Sequence, residues 1–196
     1  MTHGVILAGG QSRRMGRPKA LLKIAGHTLL RWSIETLRAG GCATITVVTG
    51  SSRGRLLTEL PADVNHVHAS DWHRGMRASL RSAARKIPAG DLLVQHVDAF
   101  GVQPKTIRML ISALGFRPVV PRYQGRLGHP VALPKSMRSA IEGSDVRPLS
   151  DLLVEREFET LRVNDAGVIS NINTPRQFAE ILWKVREFRL DDLHRR

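Results

Sequence analysis

Two periods of apolar residues alternate along this chain. Apolar or β-branched runs at residues 5–8 and 44–48 have the length of strands buried on both faces, and 91–97 (Asp-Leu-Leu-Val-Gln-His-Val) is a further strong strand pattern. Residues 64–68, 118–120, 131–133 and 159–163 carry weaker strand patterns. Between them the spacing turns helical over 29–37, closed by Gly40-Gly41, and over 53–60, closed by Pro61. It does so again over 75–87, bounded by Pro88, and over 104–114, which has proline in its first turn. Residues 136–141 and 148–156 read as two further helices, and a last one opens at Thr174-Pro175 and runs through 187. Strands alternating with helices predict an α/β fold, a mostly parallel sheet flanked by helices. With neither an internal repeat nor a low-complexity linker, the expectation is one domain over 1–188 and a charged C-terminal tail over 189–196.

Composition narrows the class. A chain of 196 residues with 42% hydrophobic content can bury a substantial core. No apolar run reaches the length of a membrane span, and the first residues enter a strand without an export pattern. The lone cysteine, Cys42, has no intrachain disulfide partner and reads as a packed small residue. A cytoplasmic protein without membrane contact is the expectation. The net charge of +13, from 30 Lys and Arg against 17 Asp and Glu, permits polyanion binding. Nucleic acid is the weaker partner, because the basic residues are spread along the chain and aromatics make up only 5%. An anionic small substrate or an acidic partner protein remains.

Candidate chemistry gathers where the first strand ends. Leu7 and Ala8 lead into Gly9-Gly10, and Ser12, Arg13, Arg14, Gly16, Pro18 and Lys19 follow. Glycines at a strand's C-terminal edge let backbone N–H groups approach a ligand closely, and three cations supply the charge a triphosphate needs. The stretch is neither a Walker A loop nor a Rossmann Gly-x-Gly-x-x-Gly turn. Its plainer reading is a tight turn with solvated arginines.

The string Leu-Ala-Gly-Gly-x-Ser-x-Arg-Met-Gly-x-x-Lys resembles the signature of the MobA-like nucleotidyltransferases, which include the molybdenum cofactor guanylyltransferases and cytidylyltransferases. The resemblance implies a Rossmann-like nucleotidyltransferase fold. It also implies a loop that wraps a nucleoside triphosphate through Leu7, Ala8, Gly9, Gly10, Ser12, Arg14, Gly16 and Lys19, with Arg14 and Lys19 on the phosphates. The segment from Asp71 to Leu80 is similar to the family's Gly-Met-x-x-Ser-Leu stretch, which would bring Gly75 and Ser79 beside the nucleotide. Read without the family, the same residues are a helix start with Met76 and Leu80 in the core.

Asp98 closes the strong strand 91–97. In open α/β sheets ligands bind beyond the carboxyl ends of the strands, so Asp98 and the first loop share one edge. From position alone a Mg2+ ligand and a turn cap are equally good readings. The resemblance assigns the metal, although the proline usual after that aspartate is missing from Val97-Asp98-Ala99-Phe100-Gly101. The family's second metal carboxylate falls in Asp-Ile-Asp-Thr-Pro, and here the residues are Asn171-Ile172-Asn173-Thr174-Pro175. Asn173 can still offer an uncharged oxygen to a metal, and it or Thr174 can cap the helix that Pro175 starts. Gly125 to Pro130 resembles Gly-x-x-Gly-His-Pro near the acceptor, implying acceptor contacts from Arg126, Gly128, His129 and Pro130, with Arg122 a further anion contact. A lone histidine in a turn is also a common structural element. Residues Gly143 to Arg147 match a Gly-Asp-x-Gly-Ala-Arg stretch loosely.

Together these features imply Mg2+-dependent transfer of CMP or GMP from CTP or GTP to a phosphorylated acceptor, molybdopterin first, with release of pyrophosphate. Catalytic contacts fall to Arg14, Lys19 and Asp98. Ala8-Gly9-Gly10 looks like the guanylyl branch, whereas Gly-Met-x-x-Ser-Leu and Gly-His-Pro look like the cytidylyl branch, so the base stays open. Two rivals stand. One is a nucleotidyltransferase for a sugar phosphate or another small phosphorylated alcohol. The other, prompted by Asn171 and Asn173, is a non-catalytic nucleotide- or cofactor-binding accessory of a molybdoenzyme or its chaperone.

Overall fold

In the computed structural model, residues 1–143 and 148–185 are described. The expectations for residues 144–147, for the end of the last helix beyond 185 and for the tail lie outside them. The chain runs through β1 (Thr2–Ala8), β2 (Lys23–Ile24), β3 (His27–Thr28), α1 (Leu29–Ala39), β4 (Thr44–Thr49), α2 (Arg53–Leu57) and β5 (Asn65–His68). It continues through α3 (Met76–Ala84), β6 (Asp91–His96), α4 (Pro104–Ala113), β7 (Val119–Tyr123), β8 (Arg126–Leu127) and β9 (Val131–Leu133). It ends with α5 (Arg138–Glu142), α6 (Leu149–Glu155), β10 (Glu159–Arg162) and α7 (Pro175–Lys184).

Every residue of β1 is buried, and neighbours along it serve opposite faces of the sheet. Val5 and Leu7 join a core with Leu80 of α3, Ile141 of α5 and Leu152 of α6. Ile6 and Ala8 join a second core with Leu30, Ile34 and Leu37 of α1, Leu56 of α2, and Ile107 and Leu110 of α4. Helices therefore cover both faces, and each large apolar side chain so buried contributes about 1.5–3 kcal/mol. A third cluster, of Met15, Leu22, Trp32, Phe100, Ile172 and Phe178, lies under the loop that follows β1 and ties α7 to it.

The sheet order is β10-β7-β9-β6-β1-β4-β5, with β8 hairpinned onto β7. β5, β4, β1 and β6 run parallel, as do β7 and β10, while β9 is antiparallel to both of its neighbours. The chain steps from β1 outward to β4 and β5, then crosses back to β6 on β1's other side. That reversal opens a crevice beyond the carboxyl ends of β1 and β6, which pair as Leu7 with His96.

Several boundaries differ from the sequence expectation. The helix expected at 75–87 begins one residue later, because Gly75 holds φ 105° and ψ 178°, outside helical space. The strand expected at 118–120 extends to Tyr123 because it turns into the β8 hairpin. The helix expected at 53–60 stops at Leu57, and residues 135–142 form a 3-10 turn followed by α5. The two-residue strands β2, β3 and β8 are too short for any period to mark.

Candidate functional site

The loop after β1 is held at several points. Ser12 adopts left-handed backbone at φ 54°, and its Oγ accepts a 3.0 Å hydrogen bond from the Lys19 N–H, which closes the loop on itself. Residues Arg13–Met15 make one 3-10 turn ending at Gly16, also left-handed at φ 64°. Met15 is buried in the cluster under the loop, and the Arg17 guanidinium lies 5.8 Å from the centre of the Phe178 ring. On the other flank Ser51 N–H donates to the Gly9 carbonyl at 3.2 Å. Gly50 makes that approach possible, since a Cβ there would stand 2.4 Å from the Gly9 oxygen and 2.5 Å from Trp72 Cγ.

Above this loop opens a cavity of about 330 Å3. Leu7, Ala8, Gly9, Gly10, Ser12, Arg14, Lys19, Gly75, Ser79 and Asp98 all line it, as do Arg13, Ser52, Trp72, Met76 and His96. Asp71 pairs with Arg81 and so braces the turn that carries Trp72 against α3. Gly16 faces away, lining an outer groove with Arg13, Arg17 and Arg55.

Lys19 and Asp98 meet inside the cavity. Lys19 Nζ donates to Asp98 Oδ2 at 2.7 Å and to Asn173 Oδ1 at 2.6 Å. Asn173 reaches this point because its segment pairs with the chain after β6. Ile172 N–H donates to the Asp98 carbonyl at 2.9 Å, Ala99 bridges Asn171, and Phe100 N–H donates to the Ser170 carbonyl at 3.3 Å. Ala99 N–H also donates to the His96 carbonyl at 3.1 Å. A proline at either position after Asp98 would lose one of these donors. Asp165, buried beneath, accepts from Gln103 N–H at 2.8 Å, the Thr106 hydroxyl at 2.6 Å and Gly167 N–H at 2.9 Å.

The capping and site-facing roles divide between neighbours. Thr174 caps α7, its Oγ1 accepting from Gln177 N–H at 3.2 Å, while Gln177 Oε1 accepts from the N–H groups of Asn173 and Thr174. The Asn173 side chain is left to face Lys19. Two hard oxygens thus converge on one cation. Among the described residues no group of three or more His, Cys, Asp or Glu could hold a metal. One carboxylate and one amide oxygen fit a hard divalent cation that keeps waters and takes phosphate oxygens, and they do not fit zinc.

A second cavity of about 480 Å3 adjoins the first and shares Gly75, Met76 and His96 with it. Its walls are largely apolar, from Val120, Leu127, Val131, Leu149, Leu153 and Phe158. His129 stands in the wall next to His96, and its backbone N–H donates to the Val168 carbonyl at 2.7 Å. Of the residues expected around the acceptor, Gly128 and His129 line this cavity, whereas Arg126 is exposed on β8 and Pro130 is buried. Arg122 is exposed and donates to the Gly125 carbonyl at 3.3 Å. The sequence reading passed over Ser52, Trp72, His96 and Asp165. Only His96 carried a signal, its place just before Asp98 at the end of a buried strand. Burial pushes the Cys42 thiol up to about 12, in keeping with a packed residue. No helix among the described residues is long and apolar enough to cross a membrane.

Comparison with known proteins identifies the lineage. The MobA-like NTP transferase domain matches residues 4–157. The "Nicotine blue oxidoreductase" of Paenarthrobacter nicotinovorans is 33% identical over 153 residues, covering 70% of this chain and 73% of that protein. The "Probable molybdenum cofactor guanylyltransferase" of Rhodopirellula baltica is 30% identical over 187 residues, covering 88% and 87%. Rv0371C of Mycobacterium tuberculosis H37Rv, solved in complex with manganese, has the same fold at a TM-score of 0.77 and 22% identity, covering 94% of this chain and 99% of that one. The matched region contains most of β1, its glycine loop and Asp98, and the chain belongs to the MobA-like NTP transferase family.

Proposed function

We propose that the protein transfers CMP or GMP from CTP or GTP to a phosphorylated acceptor of the molybdopterin type and releases pyrophosphate. One observation carries this reading. The glycine loop, Arg14, and Lys19 paired with Asp98 line one cavity, and a second cavity of about 480 Å3 adjoins it at Gly75, Met76 and His96. Backbone N–H groups at Gly9 and Gly10, with Arg14, would hold the triphosphate. Lys19 would move from Asp98 onto a phosphate oxygen as that anion arrives. Ser79 and Gly75 would border the nucleoside, and Gly128 and His129 the acceptor.

An acceptor phosphate is already an anion, so attack on the α-phosphorus needs neither a covalent enzyme intermediate nor a general base. One new P–O bond forms, the bond to the β-phosphate bridging oxygen breaks, and pyrophosphate leaves with that electron pair. The chain's part is positioning and charge neutralisation. Asp98 and Asn173 would hold Mg2+, which supplies neutralisation of charge on the departing pyrophosphate when bound. The manganese complex of the Mycobacterium tuberculosis neighbour supports a divalent metal in this fold.

The test incubates purified protein with Mg2+, each of the four ribonucleoside triphosphates and either metal-loaded molybdopterin or a sugar phosphate, and measures pyrophosphate. Release with one base supports transfer, and release with a sugar phosphate instead moves the acceptor assignment. The uncharged Asn173 beside Lys19 favours a second reading, an accessory that binds nucleotide or cofactor for a molybdoenzyme or its chaperone. Tight binding without turnover is its signature.

A further inference from the structure

The transfer reading needs Lys19 on a phosphate, yet its ammonium sits between the two oxygens assigned to the metal, at 2.7 Å from Asp98 Oδ2 and 2.6 Å from Asn173 Oδ1. The Lys19 and Asp98 side chains are only 14% and 17% exposed, so solvent and salt screen their attraction less than on an open surface. Lys19 cancels the charge of Asp98, and Asn173 adds none. A free divalent cation would find both oxygens taken, an ammonium in contact, and no net negative charge to draw it in. A metal–nucleotide complex differs in kind. Its phosphates offer Lys19 a stronger partner, and as the lysine leaves, both oxygens are freed together. Because Ser12 Oγ holds the Lys19 N–H at 3.0 Å, only the side chain has to turn.

We infer that Lys19 is a removable plug, so that the site admits divalent metal as a metal–nucleotide complex and not as the free ion. Asn173 sets the balance. Its neutral amide holds the ammonium by a hydrogen bond that a triphosphate can replace, whereas a carboxylate there would draw metal by itself. The inference rests on the transfer reading for its nucleotide arm. Its metal arm stands apart.

Electron paramagnetic resonance of Mn2+ titrated into the full chain, with nucleotide absent, tests the plug without reference to turnover. Lys19→Met is expected to bind Mn2+ about tenfold tighter than the wild type. Asn173→Asp, which keeps the lysine, is expected to bind it severalfold tighter and serves if Lys19→Met does not fold by circular dichroism. Arg14→Gln removes another cation lining the same cavity and should change Mn2+ affinity less than about twofold, so it separates a plug from a general loss of positive charge. CTP or GTP added to the wild type should raise its Mn2+ affinity about tenfold. The plug is overturned if both site variants bind Mn2+ no tighter than the wild type, or if Arg14→Gln gains as much. Tight nucleotide-free Mn2+ binding by the wild type, with CTP or GTP still giving heat in calorimetry, overturns the plug and leaves the transfer reading in place. No heat with any triphosphate overturns the transfer reading, and with it delivery of the metal by nucleotide.

Discussion

The imidazole rings of His96, which lines both cavities, and His129, which lines the second, meet with centroids 4.1 Å apart and planes inclined by 35°. Such a contact suits two neutral rings. Burial pushes the His129 ring down to about 4, the neighbouring His96 adds to that, and Asp98 opposes it. His96 is lowered chiefly by burial, with Asp98 pulling it back up and Lys19 reinforcing the fall. On the transfer reading, an acceptor phosphate near this pair would meet imidazoles that carry no charge near neutral pH.

The same shift sets a pH dependence of stability. The unfolded chain protonates His129 near its ordinary 6.5, while the folded ring resists until about 4. Between those values the unfolded state binds the extra proton, so this contribution is whole above 6.5 and is lost as pH falls toward 4. Thermal melts of wild type and His129→Gln at several pH values isolate it. The variant is expected to lose less on acidification, with a difference of roughly 6–12 °C by the time pH reaches about 4. Parallel curves for the two proteins would remove His129 as the source.

Asp98→Asn tests the metal assignment directly. The amide keeps the shape and removes the carboxylate that pairs with Lys19. Turnover measured as pyrophosphate release should drop about a hundredfold or more, with the fold retained. Undiminished turnover would place the metal elsewhere.

Asp165 supports the site from beneath without lining either cavity. Its carboxylate accepts three hydrogen bonds and is only 3% exposed. Asp165→Ala strands those donors at a cost of roughly 3 kcal/mol, which lowers the melting temperature by roughly 6–12 °C. The turn it holds also supplies the Val168 carbonyl that the His129 backbone N–H bonds and leads into Asn173. In calorimetry, nucleotide affinity in the presence of Mg2+ should therefore fall at temperatures where the variant is still folded. An unchanged affinity would free the Asn173 segment from Asp165.

The glycine loop was legible in the sequence because its glycines, serine and cations are contiguous. Asp98 was legible because it closes a buried strand, and the parallel sheet because β-branched runs recur between helical spacings. A cap at Asn173 or Thr174 was readable from the proline that follows, and the structure gives it to Thr174. What convergence builds was hidden. Lys19 and Asn173 are 154 positions apart, and nothing local marks their contact. The apolar cavity draws its walls from the start of α3, the end of β6, the strands β7, β8 and β9, and α6, so no single segment reveals it. Arg126 looked like an anion contact from its neighbours in sequence, but the β8 hairpin turns it to solvent. Gly50 was passed over because a glycine after a strand looks like any turn, and its necessity appears only once Trp72 packs against it.

Gly50 and Gly10 separate the packing of the loop from its binding. A Cβ at Gly50 would collide with the Gly9 carbonyl at 2.4 Å, a backbone atom of the loop itself, and with the Trp72 side chain. A Cβ at Gly10 meets nothing within 4 Å. Gly50→Ala is therefore expected to displace the loop, lowering both the melting temperature and nucleotide affinity. Gly10→Ala should melt with the wild type and still weaken binding about tenfold, because the added methyl stands where the phosphates approach the backbone. Calorimetric titration of both variants with CTP and GTP, alongside thermal melts, checks the pair. Wild-type affinity in Gly10→Ala would mean that the loop does not meet its ligand through this backbone.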